Sequence, residues 1–387
     1  MHPFRSFSLA LLILLSTHSA FAARYEVSGY TRQAIQTAIN SACSAGGAQE
    51  VFLPAGIYVL DGELTLGTGT SRQITITGEG TNITSLSCTA SNSNGFNFNF
   101  ASSSETVTFL HLTILANTSC ANAIKVTFPT APADGSTVVN FKAENVHIRN
   151  QDTSIFSTGI CLEYANYATL LDCHIATNRG GSGSGLLFSK YCPNSTIKYC
   201  NFFGHHDGIL FAQPSSAAVA HKNILIYDSM FIDVYNGITY SHSDAVVILT
   251  LPCINNLIFK NNHIDARGSW GSAILLNGGL TNSQIKGNYI IVSEGAVCSC
   301  VIRGTSNNIE NNLMNGMDFN GQIVLYKGSS GNYVISNTFR ACPSSLFLQE
   351  LTTNNLIGGN HSYAPTTTDS SSGRTDEGTN NTYIENY

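Results

Sequence analysis

The chain has few charged residues, and this shortage excludes several classes of protein. Only 11% of its 387 residues are Asp, Glu, Lys or Arg, whereas ordinary soluble domains carry about 25%. The net charge of −6 argues against a general nucleic-acid binder. Asn (38 residues) and Gly (34 residues) are abundant, and because both are poor helix formers, a helical bundle is not expected. Hydrophobic residues make up 43% of the chain, which is too many for a disordered protein.

Long apolar runs are missing after the first 22 residues. No later stretch approaches the ~20 apolar residues that a membrane helix needs. Residues 1–22 have the features of a secretory signal peptide: Arg5, an apolar run over Leu9–Leu15, and the small-x-small sequence Ala20-Phe21-Ala22. We therefore expect cleavage after this segment, no membrane contact of the mature chain, and secretion, or a periplasmic or cell-surface location in a bacterium.

The eleven cysteines all follow the predicted cleavage site. An exported protein can form disulfides, but an odd number leaves at least one thiol free or intermolecular. Their spacing does not match a zinc site, and no clear carboxylate cluster predicts a calcium site. The sequence therefore predicts no cofactor, although Ca²⁺ stays open.

A repeat runs from about residue 107 to the C-terminus. A short alternating strand ends on a polar or small residue that is followed by x-Ile or x-Phe, at intervals of about 25 residues, as in TLLDCHI (169–175), IFKNNHI (258–264) and VISNTFR (334–340). A second strand lies midway in each period, as in GLLFSK (185–190) and GILFAQ (208–213). Each period is thus predicted to hold three short strands. A unit of ~25 residues cannot bury its apolar face alone, so the units stack as parallel strands about 4.8 Å apart.

Stacking brings the repeated polar residues above one another. Asn262, Asn288, Asn312 and Asn337 are predicted to form a ladder, in left-handed turn geometry, that hydrogen-bonds to neighbouring backbones. Cys173 and Cys200 occupy the same turn in earlier coils, where either a disulfide or two stacked thiols would fit.

The N-terminal part of the mature chain is different. Residues 30–45 carry Ile35, Ala38, Ile39 and Ala42 at helical spacing, which predicts an amphipathic helix that caps the open end of the stack. The low-complexity segment 365–379 is predicted to be a flexible loop. The expected fold is all-β: a single parallel β-helix (a solenoid) of about ten coils over residues 23–387.

The run AIQTAINSACSAGGAQEVFLPAGIYVLDGELTL (34–66) and the later ITITGEG (74–80) resemble the N-terminus of the pectin-lyase-like superfamily of right-handed parallel β-helices. Within it, the match is to the branch of rhamnogalacturonase-like, epimerase-like and phage-tailspike proteins. The resemblance implies a secreted protein that acts on acidic or complex polysaccharides as a lyase, hydrolase or epimerase, or that only binds them. It also implies a site on one exposed sheet and its flanking loops.

Catalytic residues of the known branches do not transfer. Polygalacturonase-type hydrolases carry Asn-Thr-Asp, Asp-Asp and Gly-His-Gly motifs, whereas this chain has only Gly204-His205-His206-Asp207-Gly208 and no Asp-Asp pair. The Asp cluster of calcium-dependent pectate lyases and the Tyr-Gly-x-Asp-Pro-His stretch of alginate epimerases are not found either.

We therefore select candidate site residues by their position in the repeat. The outward side chains of the second strand, and the turn before it, concentrate His, Asp and Arg between residues 179 and 270. A lyase needs a base such as His, Tyr, Lys or Arg, and a hydrolase needs two carboxylates about 5–9.5 Å apart. The predicted catalytic residues are His205, His206, Asp207, Asp233, His242 and Arg267. The predicted substrate-binding residues are Arg179, Lys190, Tyr235, Asp244, Trp270, Glu163 and Arg303.

Structural roles are the alternatives. Asp207-Gly208 aligns with Ser184-Gly185 and Asn236-Gly237, which is typical of a turn residue. His205 and His206 would be exposed in a long turn, where a purely structural or incidental role is equally compatible with the sequence.

These features favour a secreted enzyme that acts on an extracellular polysaccharide. A lyase is favoured over a glycoside hydrolase, because His, Tyr and Arg outnumber well-placed carboxylates. The alternatives are a non-catalytic polysaccharide-binding or cell-wall structural protein, and a surface adhesin in which the odd cysteine cross-links chains. The expected partner is a polysaccharide, and the sequence does not predict an oligomeric state.

Overall fold

The computed structural model is a parallel β-solenoid of about eleven turns with one short helix near the N-terminus, which confirms the predicted fold. It describes residues 23–69, 72–133, 135–151, 154–176, 183–212, 221–234, 236–240, 254–267, 272–293, 298–316, 323–340, 346–349, 351–363, 374–376 and 378–384. The predicted signal peptide, 1–22, lies outside this range.

Each turn supplies strands to three parallel sheets, as the repeat predicted. We number them sheets 1, 2 and 3 in the order in which the chain visits them. Two long strands, Thr106–Ala116 and Phe141–Asn150, run through sheet 1 into sheet 2. Ala23–Glu26 pairs with the first strand of sheet 1.

The other strands of sheet 1 are Gly47–Leu53, Arg72–Gly78, Thr169–Leu171, Thr196–Lys198, His221–Tyr227, Ile254–Lys260, Gln284–Lys286, Asn308–Glu310, Tyr333–Ile335, Leu356–Gly358 and Thr382–Tyr383. Those of sheet 2 are Gly56–Leu60, Thr84–Cys88, His174–Ala176, Asn201–Phe203, Met230–Val234, His263–Arg267, Tyr289–Ser293, Leu313–Gly316, Thr338–Arg340 and His361–Tyr363. Sheet 3 consists of Leu64–Thr65, Phe96–Asn99, Cys120–Thr127, Phe156–Glu163, Ser184–Phe188, Asp207–Phe211, Asn236–Tyr240, Ser272–Thr281, Cys298–Thr305, Ile323–Leu325, Leu346–Leu348 and Arg374–Asp376.

One helix, Arg32–Ala45, packs on the first coil, as predicted. The Thr31 hydroxyl accepts a hydrogen bond from the Ala34 amide at 3.3 Å and so caps the helix N-terminus. Its buried side chains are Ile35, Ala38, Ile39, Ala42 and Cys43, which include all four residues of the predicted apolar face. In the part of the chain that the structure describes, no helix has the length and apolar character to cross a membrane.

A column of small residues opens the strands of sheet 3. A Cβ added to Gly208 would lie 2.5 Å from Phe231 Cδ1 and 2.6 Å from the Gly237 carbonyl oxygen. A Cβ on Gly159 or Gly185 would likewise lie 2.5–2.7 Å from a core side chain and from a carbonyl oxygen of the following coil. The recurring glycine at the start of the second strand is therefore required by packing against the core, where the Phe202 and Phe231 rings stack at 5.0 Å.

The predicted asparagine ladder is present at the turn between sheets 1 and 2. Asn288 Nδ2 donates to the Phe259 carbonyl at 3.0 Å and to Asn312 Oδ1 at 2.9 Å. Asn288 Oδ1 accepts from the backbone N–H of Asn262 at 2.9 Å and from its Nδ2 at 3.1 Å. The prediction of left-handed geometry for these asparagines is wrong, because the positive φ belongs to the residue before each of them, such as Asn261 (55°).

A second ladder, which the sequence reading missed, runs through the turn between sheets 3 and 1. Its members are Ser283, Asn307, Asn332, Asn355 and Asn381, and each of the first four donates its backbone N–H to the Oδ1 of the next member. An Asn two residues before an inward-facing Ile or Val, as in Asn307 and Ile309, is the signal that could have revealed it.

Among the described cysteines the structure shows no disulfide. Eight are buried thiols: Cys43, Cys88, Cys120, Cys161, Cys173, Cys192, Cys200 and Cys300. Cys173 and Cys200 stack as predicted, and of the two alternatives the structure has the thiols. Burial, together with the contact to the Cys173 thiol, raises the pKa of Cys200.

Part of the predicted flexible loop 365–379 lies among the described residues. Residues 365–373 lie outside the described residues, but Arg374–Asp376 form a strand of sheet 3, and Thr379 makes a parallel bridge to Thr353.

Candidate functional site

The outer face of sheet 3 carries one side chain per coil at each register position. One column reads Lys125, Cys161, Leu187, Leu210, Thr239, Leu275, Val301, Val324 and Phe347. Those of their strand neighbours whose side chains the structure describes belong to the core, so the alternation predicted for the second strand is confirmed. Coils rise by about 4.8 Å, and any site on this face is therefore assembled from adjacent coils.

His206 and Asp207 form a hydrogen-bonded pair at the amino edge of this face. His206 is the last residue of the turn from sheet 2, and Asp207 opens the strand Asp207–Phe211. The Nδ1 of His206 lies 3.1 Å from Asp207 Oδ2. The side chain of His206 is 47% exposed, whereas that of Asp207 is only 10% exposed. An exposed imidazole is thus hydrogen-bonded to a buried carboxylate.

The next coil holds Asp207 in place. Asp207 Oδ1 accepts hydrogen bonds from Asn236 Nδ2 at 2.9 Å and from Thr239 Oγ1 at 2.7 Å. Asn236 is itself oriented, because its Oδ1 accepts from the backbone N–H of Ser272 at 2.8 Å. Asn236 and Thr239 are both buried. Neither was predicted as a site residue, although the alignment of Asp207-Gly208 with Asn236-Gly237 was the signal.

Burial and hydrogen bonding act in opposite directions on Asp207. Burial tends to raise its pKa, but the hydrogen bonds from His206, Thr239 and Asn236 outweigh this and bring the pKa below its ordinary value. The bond to Asp207 raises the pKa of His206, against the smaller opposing effect of burial. An ionised Asp207 therefore favours the proton on Nδ1 of neutral His206, which places the ring's acceptor lone pair on Nε2.

The interpretation of Asp207 as a turn residue is wrong. Its predicted alignment is right, since Asp207 pairs with Ser184 on one side and Asn236 on the other. It is nevertheless the first residue of a strand, and it is not among the residues with positive φ.

His205 differs from its neighbour. It is 1% exposed, and its Nε2 lies 2.9 Å from the carbonyl oxygen of Ile175. Burial lowers its pKa to about 4, so it is neutral at physiological pH. The expectation of an exposed histidine is wrong for His205, which has the position of a structural residue.

Asp233 and Arg267 lie at the carboxyl end of sheet 2, before the turn that leads to sheet 3. Asp233 has a left-handed φ of 55° at an irregularity in the strand pairing, three residues before Asn236. Arg267 ends its strand and pairs with Asp265, with Nη2 to Oδ2 at 2.7 Å. Both residues therefore follow Asp207 within two coils, on the same side of the solenoid.

The described substrate-binding candidates flank the His206–Asp207 pair along the axis of the solenoid. Glu163 lies two coils before Asp207 and is 3.7 Å from the Lys125 ammonium. Lys190 lies 5.8 Å from the centroid of the Tyr164 ring. Arg303 lies three coils after Asp207. At about 4.8 Å per coil, the five steps from Glu163 to Arg303 span about 24 Å.

Five predicted site residues lie outside the described residues: Arg179, Tyr235, His242, Asp244 and Trp270. Within the ranges that the structure describes, no group of three or more His, Cys, Asp or Glu is arranged to hold a metal ion.

Comparison with known proteins gives a family match and several structural matches. The family model "Rhamnogalacturonase A/epimerase, pectate lyase-like" matches residues 28–249. No curated protein sequence matches the chain.

Three solved structures illustrate the structural similarity. The A-module of mannuronan C-5 epimerase AlgE4 from Azotobacter vinelandii is 14% identical over 95% of this chain and 96% of its own, with a TM-score of 0.57. DFA-IIIase from Arthrobacter chlorophenolicus A6, without its lid, is 11% identical over 89% and 99%, with a TM-score of 0.60. The surface protein and adhesin PfbA of Streptococcus pneumoniae is 13% identical over 92% and 96%, with a TM-score of 0.56. At these identities the similarity shows the fold alone.

Proposed function

Because this chain belongs to the rhamnogalacturonase A/epimerase, pectate lyase-like family, we propose that it is a carbohydrate-active enzyme that acts on an extracellular polysaccharide through His206 and Asp207. The observation that carries the proposal is the pairing of an exposed imidazole with a buried, triply hydrogen-bonded carboxylate. A base that is oriented by a further hydrogen-bonded group is the arrangement found in catalytic acid–base pairs.

The favoured reaction is proton abstraction from a uronate. Neutral His206 would remove, through Nε2, the proton on the sugar carbon next to the carboxylate. In β-elimination, the C–H electron pair forms a C=C bond, and the bond to the glycosidic oxygen breaks with its electron pair. The leaving oxygen then takes up a proton and becomes a hydroxyl group. Return of a proton to the opposite face would instead give an epimer, the reaction named for the similar mannuronan enzyme.

Hydrolysis is less compatible with Asp207. A glycosidase acid must carry a proton near neutral pH, which requires a raised pKa. The pKa of Asp207 lies below its ordinary value, and both of its oxygens already accept hydrogen bonds. This supports Asp207 as the residue that orients His206, and supports a lyase or epimerase over a hydrolase.

Arg267 and Arg303 are the cations that could neutralise substrate carboxylates along the outer face of sheet 3. Arg267 is 39% exposed and is oriented by Asp265. We infer no metal or other cofactor for this reaction, and we propose export through residues 1–22.

A non-catalytic glycan binder is the second candidate. The adhesin from Streptococcus pneumoniae has the same fold, and the outer face of sheet 3 also carries aliphatic side chains such as Leu275 and Val301.

A polysaccharide panel tests the proposal. Wild-type protein is incubated with uronate-containing and neutral polysaccharides, and both unsaturated ends and reducing ends are measured. We expect unsaturated ends or epimerised sugars from at least one uronate polymer, and none from His206→Gln. Asp61→Asn is the matched control, because Asp61 is an exposed carboxylate paired with Arg32 at the N-terminal end. If every polymer stays intact and one is retained on a column, the enzyme proposal fails and the binding candidate stands.

A further inference from the structure

An exposed aromatic cluster lies at the corner between sheets 1 and 2, across the coil from sheet 3 and His206. Tyr199 is 52% exposed, and the centroid of its ring lies 6.5 Å from that of Tyr227, with the planes at 59°. The Lys198 ammonium lies 4.3 Å from the centroid of the Tyr199 ring and 4.6 Å from that of Tyr227. The cation therefore holds two rings of adjacent coils in one arrangement.

The backbone at Tyr199 is unfavourable for an aromatic residue. Its φ is 56°, in the left-handed region that a residue with a bulky side chain rarely adopts. The same corner in the following coils is occupied by residue types that tolerate this conformation, namely Asp228, Asn261, Gly287 and Asn311. Core packing does not account for the tyrosine, since its ring points into solvent. Strain of this kind is concentrated at functional sites.

We propose that Tyr199, Tyr227 and Lys198 form a second carbohydrate-binding site, which holds a sugar unit of the polymer remote from His206. The exposed ring offers a flat surface for the C–H face of a sugar. Asp172 and Asp228 lie at the same corner in the adjacent coils, where carboxylates can accept hydrogen bonds from sugar hydroxyls. The identity of the polymer rests on the proposed function.

The size of the cluster favours a sugar over a protein. A fully buried aromatic side chain removes about 150–250 Å² from solvent, and here two rings are only partly exposed. A stable protein interface needs about 800 Å² on each partner. A single sugar unit matches the smaller area, and the lysine has already restricted the two rings, which reduces the entropy lost on binding.

The second site has a consequence that depends on substrate length. A long polymer can occupy it and the His206 site together, and the second contact then benefits from a high effective concentration. A short oligosaccharide reaches only one of the two sites.

The test compares variants of the full chain on polygalacturonate and alginate and on their trisaccharides. Tyr199→Asn removes the ring and places a tolerated residue type at the left-handed position. We expect a higher melting temperature, polymer binding weakened about tenfold or more as avidity is lost, and unchanged turnover of trisaccharides. Tyr199→Phe should bind the polymer like wild type, because it keeps the ring. Tyr333→Asn is the control for an exposed tyrosine elsewhere on sheet 1.

Two results would overturn the second site. One is wild-type polymer binding by Tyr199→Asn. The other is a change in sedimentation from dimer to monomer in this variant, which would make the cluster a contact between copies of the chain. If no polymer is cleaved but binding still depends on Tyr199, the His206 proposal fails while the second site survives.

Discussion

Replacing Asp207 by Asn tests the role of the buried carboxylate with little change in shape. The amide oxygen of the new side chain can still accept from Asn236 and Thr239, as Asp207 Oδ1 does at 2.9 and 2.7 Å. The amide nitrogen then faces Nδ1 of His206 and donates to it, whereas Asp207 Oδ2 accepts from that nitrogen at 3.1 Å. The proton of neutral His206 is forced onto Nε2, so that Nε2 can no longer act as a base.

The expected loss can be estimated from the value of one general base. Such groups contribute about 10²–10⁴-fold to the rate, which equals about 3–5 kcal/mol in activation free energy. We expect D207N to lose this amount in kcat/KM on the polymer. The unfolding free energy should fall by only about 1 kcal/mol, because the lost ion pair is half exposed at His206.

The pH profile separates this role from a structural one. The wild-type rate should rise as the pH increases through the raised pKa of His206, because the base must be neutral. In D207N the residual activity comes from the minor tautomer of His206 with its proton on Nδ1. Its limb should lie at a lower pH than in wild type, since the carboxylate that raises the pKa is gone. A variant with wild-type kcat/KM and an unshifted limb would refute the assignment of Asp207 to His206.

Three further predictions concern stability. Asn288→Ala removes four buried hydrogen bonds and should lower the unfolding free energy by about 3–4 kcal/mol. Asn99→Ala, which loses one exposed hydrogen bond of 3.4 Å, should cost less than about 0.5 kcal/mol; equal effects in denaturant titrations would contradict the ladder's role. Gly208→Ala should lower the unfolding free energy by about 2–3 kcal/mol, because its Cβ would lie 2.5 Å from Phe231 Cδ1. An unchanged melting temperature would show that the core repacks around the added methyl group without cost. The melting-temperature difference between wild type and His206→Gln should be largest below the ordinary pKa of 6.5 and shrink as the pH rises through the raised folded-state pKa; a difference that grows with pH would reverse the assigned direction.

The solenoid was predictable because the sequence repeat contains the features that cause it. Alternating strands and a polar residue at each turn repeat at one spacing, and stacking is the arrangement that buries every apolar face. Which residue of each turn adopts the left-handed conformation was not predictable in the same way. The ladder residue Asn262 and the left-handed residue Asn261 are adjacent and chemically identical, so composition cannot tell which one is buried.

The candidate site was only partly predictable for a similar reason. The sequence pointed to His205 and His206 together, but the turn geometry buries one against the Ile175 carbonyl and exposes the other. The support from Thr239 depends on register between strands 32 residues apart, which no local pattern specifies.

The most direct test of the central claim is hydrogen exchange at the sugar. Wild-type protein and His206→Gln are incubated with a uronate polymer in deuterated water, and deuterium in the recovered sugars is measured by NMR together with unsaturated ends. Proton abstraction by His206 predicts unsaturated ends or deuterium at the carbon next to the carboxylate with wild type only. A polymer that binds tightly yet stays intact and free of deuterium would contradict it.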